Sequence, residues 1–325
     1  MVDIRPSRPG EIPAQKALWK TAFGDEDRLI DWFYDCCMPE EDMLLLLEDG
    51  RLASMLALLP VSLSLPGGVE AAGRYVYALA TDPSMRGKGY GRQLLHYVDG
   101  FLSSRGSDCV TVVPAEPSLH KFFATVAFCP AFSTRKLELL RDMVGPARAE
   151  DGLTEAEPQE YGRLRRALLS DTAAVHYDQR LLRFQQGMSR MSGGGLYKIT
   201  VDGVEGCAAA EYVDRHSVLC KELLIPSQHL ARAVARLAER LPADRYHVRT
   251  PAGWECRAAT TRRSEWSSGT TGKSGRCGSG RRTAIWASGL TDRASGWRGA
   301  ACVGRGAVEP LRPAGENGRT PVSCA

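Results

Sequence analysis

The feature that most constrains the fold of this chain is one stretch, residues 74–104, in which a strand, a glycine-rich loop and a helix follow one another. Residues 75–81 are apolar and rich in residues that favour strands, which predicts a buried strand. Residues 82–91 open with Asp-Pro and contain three alternating glycines, which is typical of a loop. From Tyr90 onward apolar residues recur at helical spacing, which predicts an amphipathic helix.

A strand, a glycine-rich loop and the start of a helix together make a site for an anion. The first N–H groups of a helix have no intrahelical partners, and the helix dipole adds partial positive charge there. Glycines let backbone N–H groups approach phosphate oxygens closely. Arg86, Lys88 and Arg92 add full positive charges. The alternative, a surface turn with scattered basic residues, does not account for the coincidence of all these features.

The common nucleotide-binding patterns do not fit this loop. The P-loop pattern is absent, and the alternating spacing of Gly87, Gly89 and Gly91 differs from the dinucleotide-binding pattern. Instead, the run Arg86-Gly87-Lys88-Gly89-Tyr90-Gly91 resembles the pyrophosphate loop of the GNAT superfamily of N-acetyltransferases, whose pattern is Arg/Gln-x-x-Gly-x-Gly/Ala. The flanking ALATDP and RQLL segments are also similar to that family.

This resemblance implies a GNAT fold of the α/β (α+β) class, with a mixed, mostly antiparallel sheet flanked by helices. It also implies that the loop N–H groups hold the pyrophosphate of acetyl-CoA, and that the backbone of residues 79–81 pairs with its pantetheine arm like an added strand. The predicted acetyl-CoA site comprises Leu79, Ala80, Thr81, Arg86, Gly87, Lys88, Gly89, Tyr90, Gly91 and Arg92. No metal is expected in it.

A second predicted helix carries a departure from the family. The segment LHKFFATVAF resembles the family pattern L-x-x-F-Y-x-x-x-G-F, with Phe123 where many members carry tyrosine and Ala127 where they carry glycine. In the family, that tyrosine is proposed to protonate the departing CoA thiolate, and phenylalanine cannot donate a proton. Glu116 is a candidate base near the expected cleft, and capping of the helix start is an alternative role of at least equal weight. The catalytic acid and base are therefore not assigned.

Composition points to an ordinary globular protein long enough for two domains, with 325 residues and 43% hydrophobic residues. No apolar window is long enough for a membrane span, and the N-terminus lacks the apolar core of a signal peptide. We therefore expect a cytoplasmic protein without membrane association. The ten cysteines show neither metal-ligand spacing nor a disulfide framework, so we expect buried reduced thiols.

Charge is distributed unevenly along the chain. The formal net charge is +4, but the tail after residue 253 alone contains eleven arginines and one lysine. The first 253 residues are therefore net acidic, which suits a cationic amine as acceptor. The arginine-rich tail raises the alternative of nucleic-acid binding, but such arms normally mix lysine with arginine and lack scattered tryptophans. We expect no nucleic-acid partner.

The region 144–253 is predicted to form a second, smaller domain after a first domain of residues 1–143. Helical patterns cover residues 155–170 and 178–186, three strands follow between residues 196 and 225, and a helix over residues 230–241 precedes a strand that starts at Tyr246. This order echoes the first domain, although the corresponding loop, residues 224–230, has no glycine pattern. The sequence predicts a degenerate GNAT-like copy, an arrangement known in tandem members of the superfamily.

Residues 254–325 form a tail whose composition does not match the rest of the chain. Gly, Ser, Thr, Arg and Trp dominate, and the periodic apolar pattern ends. A shifted reading frame, with permitted codon choices, turns residues 264–273 into VGMVKWYDGK, which looks like normal strand and turn sequence. We hypothesise that the authentic frame is lost between about residues 252 and 263, that translation beyond about residue 291 is run-on, and that the tail is irregular.

Taken together, the sequence predicts an acetyl-CoA-dependent N-acetyltransferase in which a primary amine of a small molecule or peptide attacks the thioester directly in a ternary complex. The alternative is a non-catalytic acyl-CoA-binding protein, a sensor or pseudoenzyme, which Phe123 and the unusual tail would both fit.

Overall fold

Two β-sheets flanked by helices make up the computed structural model of the chain, which describes residues 1–37, 40–65, 68–114, 117–170 and 172–252 and the backbone of Ala301–Gly304. The elements of the first part, in chain order, are β1 (Val2–Pro6), α1 (Ile12–Phe23), α2 (Asp27–Cys37), β2 (Met43–Glu48), β3 (Arg51–Leu65), β4 (Val69–Thr81), α3 (Tyr90–Ser103), β5 (Cys109–Val112), α4 (Pro117–Ala124), β6 (Cys129–Pro130) and β7 (Thr134–Leu140).

The elements of the second part, in chain order, are β8 (Gly152–Glu155), α5 (Pro158–Leu168), β9 (Ala174–Tyr177), α6 (Gln179–Met191), β10 (Gly195–Val201), β11 (Val204–Asp214), β12 (Ser217–Leu224), α7 (Leu230–Arg240), β13 (Arg245–Pro251) and β14 (Ala301–Gly304). Both sheets are mostly antiparallel, and β4–β5 and β12–β13 are parallel pairs. The predicted fold class is confirmed.

The first sheet is covered by helices on both faces. On one face, α1, α2 and α6 bury an aromatic cluster in which Trp19, Phe33 and Phe184 are at most 2% exposed. On the other face, α3 and α4 bury Leu94 and Phe123 against the sheet. Burial of these apolar faces stabilises the layers and fixes the position of α3 relative to β4.

The two sheets exchange strands. β7 belongs to the predicted first domain but pairs along its whole length with β13 of the second sheet. β9 belongs to the second part of the chain but pairs with Val61–Ser64 of β3 in the first sheet. The predicted boundary after residue 143 stays a prediction, and the chain crosses between the sheets on both sides of it.

Two predicted helix boundaries in the second part were wrong. Residues 155–157, expected to open a helix, lie in β8 and its connection, and α5 begins only at Pro158, because proline fits the first helical turn and the residue before it is extended. The helix expected to stop at residue 186 continues to Met191. The short strands β8 and β9 were not predicted.

The second sheet repeats the order of the first. In the first part, β1, β2, β3 and β4 are successive antiparallel neighbours and β5 joins in parallel, and β8, β10, β11, β12 and β13 show the same order and directions. A one-turn 3₁₀ helix, Ser227–His229, runs directly into α7, without the loop that precedes α3. The interpretation of this part as a degenerate copy stays a prediction.

Most of the tail lies outside the described residues. The hypothesis of a shifted reading frame concerns those residues and stays a prediction. The described exception is β14, which pairs with both β5 and β6 in the first sheet. A strand was not expected there, because residues 254–325 were predicted to be irregular. Among the described cysteines none forms a disulfide, and five of the six are buried, as expected.

Candidate active site

The candidate site lies where β4 and β5 part. The two strands pair only from Gly73–Cys109 to Val76–Val112. For its last five residues β4 is paired with β3 on one side and has no partner among the described residues on the side of β5. In this part β4 carries one extra residue relative to β3, since the register passes from Met55–Ala80 to Ala57–Tyr77. Such a bulge bends a strand away from its neighbour. The outcome is an open slot beside an unpaired strand edge.

The glycine-rich loop closes one end of this slot. A 3₁₀ turn, Pro83–Met85, anchors the loop through Met85, which is 8% exposed, and α3 then starts at Tyr90. Gly87 and Gly89 have φ values of +82° and +77°, where a Cβ is disfavoured. Gly89 is the N-cap of α3, and because glycine has no side chain, the first N–H groups of the helix have no side-chain cap. The loop therefore presents the start of a helix dipole to the slot.

A cavity of about 760 Å³ joins the slot to the loop. All ten residues predicted to contact acetyl-CoA line it. The wall opposite β4 is formed by Val112, Val113 and the α4 residues Phe122 and Phe123, and α1 contributes Ala22 and Phe23. The structure thus places the predicted strand and loop residues around a single cleft. It is apolar along its length, and Arg86, Lys88 and Arg92 supply positive charge at one end.

The positive end of the cleft is bound to the turn between β2 and β3. Glu48 accepts hydrogen bonds from Lys88 Nζ at 2.8 Å and from the hydroxyl of Tyr90. The bond from Lys88 and the bond from Tyr90 hold the pKa of Glu48 below its usual range, and Glu48 raises the pKa of both donors. Sequence reasoning missed Glu48, which is 42 residues away from Tyr90.

The start of the loop is bound to the same turn. Arg51 donates to Asp82 at 3.0 Å and to Ser84 Oγ at 3.3 Å. Asp82 also accepts hydrogen bonds from the Ser84 hydroxyl and backbone N–H, which lower the pKa of this carboxyl together with Arg51. Asp-Pro at this position was predicted to begin a turn, and the aspartate is the cap of the 3₁₀ turn.

Few residues of the cleft carry a hydroxyl group that could act as a general acid. Of its described lining residues, Thr81 and Tyr90 carry hydroxyl groups. Thr81 Oγ1 lies 3.0 Å from the hydroxyl of the buried Ser54, and the Tyr90 hydroxyl donates to Glu48. Phe123, at the position expected for a tyrosine, is 3% exposed and packs edge-on against Phe122 and Phe128. Glu116, the candidate base, lies outside the described residues.

The described residues contain no group of histidine, cysteine or acidic side chains that could hold a metal ion. No helix in the described part of the chain is both long and apolar enough to cross a membrane.

Comparison with known families agrees with this geometry. Residues 3–123 match the family model described as an acetyltransferase (GNAT) domain. The match covers β1 to α4, the elements that build the cleft. This part of the chain is therefore similar to a GNAT acetyltransferase domain. No curated protein matches the sequence.

Solved structures share the fold over both parts of the chain. Eis1 from Mycobacterium abscessus aligns with a TM-score of 0.57 at 15% identity, covering 77% of this chain and 67% of that one. A GCN5-related N-acetyltransferase from Anabaena variabilis aligns with a TM-score of 0.62 at 14% identity, covering 79% and 67%. A putative acetyltransferase from Pyrococcus horikoshii aligns with a TM-score of 0.50 at 14% identity, covering 78% and 80%. These likenesses show the fold.

Proposed function

We propose that the chain is an acetyl-CoA-dependent N-acetyltransferase. The observation that carries the proposal is the continuous cleft from the parted edge of β4 to the start of α3. Its volume and apolar walls suit an extended acyl-pantetheine arm, and its positive end suits a pyrophosphate. The name of the matching family supports acetyl as the acyl group.

In the proposed reaction an amine nitrogen attacks the thioester carbonyl carbon. The C–N bond forms, the C–S bond breaks, CoA leaves as a thiolate, and the nitrogen loses its extra proton. Backbone N–H groups on the unpaired edge of β4 would stabilise the oxyanion, and holding both reactants in the cleft would supply proximity. We expect the acceptor, a small molecule or a peptide, to enter beside Ala22 and Phe23, the two residues of α1 that line the cleft.

The first test is a calorimetric titration of acetyl-CoA into the full chain and into a Gly89→Glu variant. The substitution puts a side chain in the left-handed region and a carboxylate beside the expected phosphates. Gly203→Glu is a matched control, because Gly203 has the same φ of +77° in a turn of the second part, far from the cleft in sequence. We expect saturable binding by the parent and the control and none by Gly89→Glu. Equal binding by all three would refute the assignment of the loop.

The second candidate function is a non-catalytic acyl-CoA-binding protein, which the apolar ring of Phe123 favours. Release of free CoA thiol on addition of a panel of primary amines separates the two functions. Amine-dependent release shows a transferase. Binding without release from any amine favours a sensor.

A further inference from the structure

The turn between β2 and β3, residues 48–51, holds both ends of the glycine-rich loop. Arg51 binds Asp82 and Ser84 where the loop begins. Glu48 binds Lys88 and Tyr90 where the loop ends. The turn is held in its own place by the β2–β3 register, in which Glu48 and Arg51 are direct partners. One short turn thus binds four residues of the glycine-rich loop: Asp82, Ser84, Lys88 and Tyr90.

The position of the two contacts with Glu48 matters most. Lys88 and Tyr90 flank Gly89, the left-handed residue at which the loop turns into α3. Glycine has the largest backbone freedom of any residue, so a loop with Gly87 and Gly89 loses much entropy when it orders around a ligand. Bonds that fix both neighbours of Gly89 reduce that loss, because the loop is ordered before the ligand arrives.

The charge of Glu48 makes its location informative. A carboxylate beside an anion site repels the anion, and it also neutralises Lys88, one of three cations in the cleft. A residue that served only the electrostatics of the site would be neutral or basic there. The side chain of Glu48 is 26% exposed and does not belong to the apolar clusters that pack on the two faces of the first sheet.

We propose that the β2–β3 turn is a positioning element for the cofactor, in which Glu48 and Arg51 hold the glycine-rich loop in its binding conformation before the cofactor binds. The proposal rests on the proposed function, since it presupposes that the loop binds the pyrophosphate of a CoA thioester. Neither Glu48 nor Arg51 lines the cavity, so both act through the loop.

Binding of CoA to Glu48→Met tests the proposal. A purely electrostatic role and a positioning role of Glu48 predict opposite changes in the affinity for CoA. Methionine keeps the length of the side chain and removes both acceptors. If Glu48 acts only by charge, its removal tightens the binding of CoA. If it positions the loop, binding weakens by about fivefold, the size that one partly exposed ion pair can supply. Asp49→Asn is the matched control, since Asp49 loses the same charge one residue away and is paired with the N-terminus instead of the loop.

Amide hydrogen exchange of the ligand-free proteins gives a readout independent of CoA. We expect the N–H groups of residues 86–91 to exchange faster in Glu48→Met, and in an Arg51→Met variant, than in the parent and Asp49→Asn, while the thermal midpoint falls by only about 2–4 °C. Parent-like exchange together with equal or tighter CoA binding in Glu48→Met would overturn the positioning role and leave the proposed function standing. Failure of the parent itself to bind CoA would overturn both.

Discussion

At residue 123 a phenylalanine ring lines the cleft where the family resemblance expects a hydroxyl group. A positioned general acid contributes a rate factor of about 10² or more, and less when the leaving group is only weakly basic, as a thiolate is. We expect Phe123→Tyr to raise kcat for amine acetylation about tenfold without a matching change in the affinity for acetyl-CoA. Steady-state kinetics with release of CoA thiol measures it.

The control for this variant is Phe122→Tyr, which adds the same hydroxyl to the neighbouring wall of the same cleft. An equal gain in both variants would point to a general effect of polarity. No gain in Phe123→Tyr, in a parent that turns over, would mean that water or another group already protonates the thiolate.

Ala127 shows what the loss of a family glycine costs. Its φ is +66°, in the left-handed region, and the residue is exposed after α4. The left-handed conformation costs alanine about 1–2 kcal/mol, which glycine avoids at some loss of entropy. We expect Ala127→Gly to stabilise the protein by about 0.5–1 kcal/mol, a rise of a few degrees at most in the thermal midpoint.

The opposite result is expected at Ala17, an exposed residue inside α1. Ala17→Gly lowers helix propensity by about 1 kcal/mol and should lower the thermal midpoint. If both substitutions lower the midpoint, left-handed strain at Ala127 is not the reason for the family preference.

At the scale of elements, α2 and α6 approach so closely that their contact has room for a glycine only. A Cβ built on Gly187 would lie 2.1 Å from Trp32 Nε1, and the indole N–H donates to the Phe184 carbonyl at 3.2 Å. Gly187→Ala gains about 1 kcal/mol of helix propensity but must displace the indole. We expect a net loss of about 1–2 kcal/mol, measured as a lower thermal midpoint.

Gly100 in α3 is the matched control, since a Cβ there meets no atom within 4 Å. Gly100→Ala should raise the midpoint, because only the helix propensity changes. In a Trp32→Leu background Gly187→Ala should also become stabilising. A loss that persists in that background would place its cause in the backbone of α6.

At the scale of the whole molecule, His176 lies where β9 joins the first sheet. Its ring is 5% exposed, lies 2.8 Å from Ser64 Oγ, and is near Arg165 and Arg166. Burial, followed by the two arginines, lowers the pKa of His176 to about 4 from 6.5. Below pH 6.5 the unfolded chain binds a proton that the folded chain refuses, so stability falls as the pH falls from 6.5 towards 4.

Between the two pKa values the free energy of unfolding falls by about 1.4 kcal/mol for each pH unit, which amounts to roughly 3 kcal/mol in total. Chemical unfolding curves between pH 4 and 7 measure it. His176→Gln should flatten the decline, whereas the same substitution at the exposed His96 should leave it as in the parent. A parent and a His176→Gln variant with parallel pH dependences would show that the ring is protonated without cost in the fold.

What the sequence could predict was local. The strand, loop and helix of the cleft were predictable, because glycines, cations and apolar spacing lie within one stretch of about thirty residues. Glu48 and Arg51 were not, because their contacts with the loop span 31–42 residues and depend on how β2 and β3 pair. β8 and β9 have four residues each, too few for a periodic pattern, and β9 is strand only because β3 extends beyond β2.

The crossing of β7 and β9 between the sheets has a consequence for any attempt to divide the protein. A cut between residues 143 and 144 would leave β7 with the first fragment and its partner β13 with the second, while β3 would lose β9. Each fragment would expose a bare strand edge that another chain can join. Each part of the chain therefore covers a strand edge of the other part's sheet. Loss or exchange of either part alone would expose the strand edge that it covers in the other.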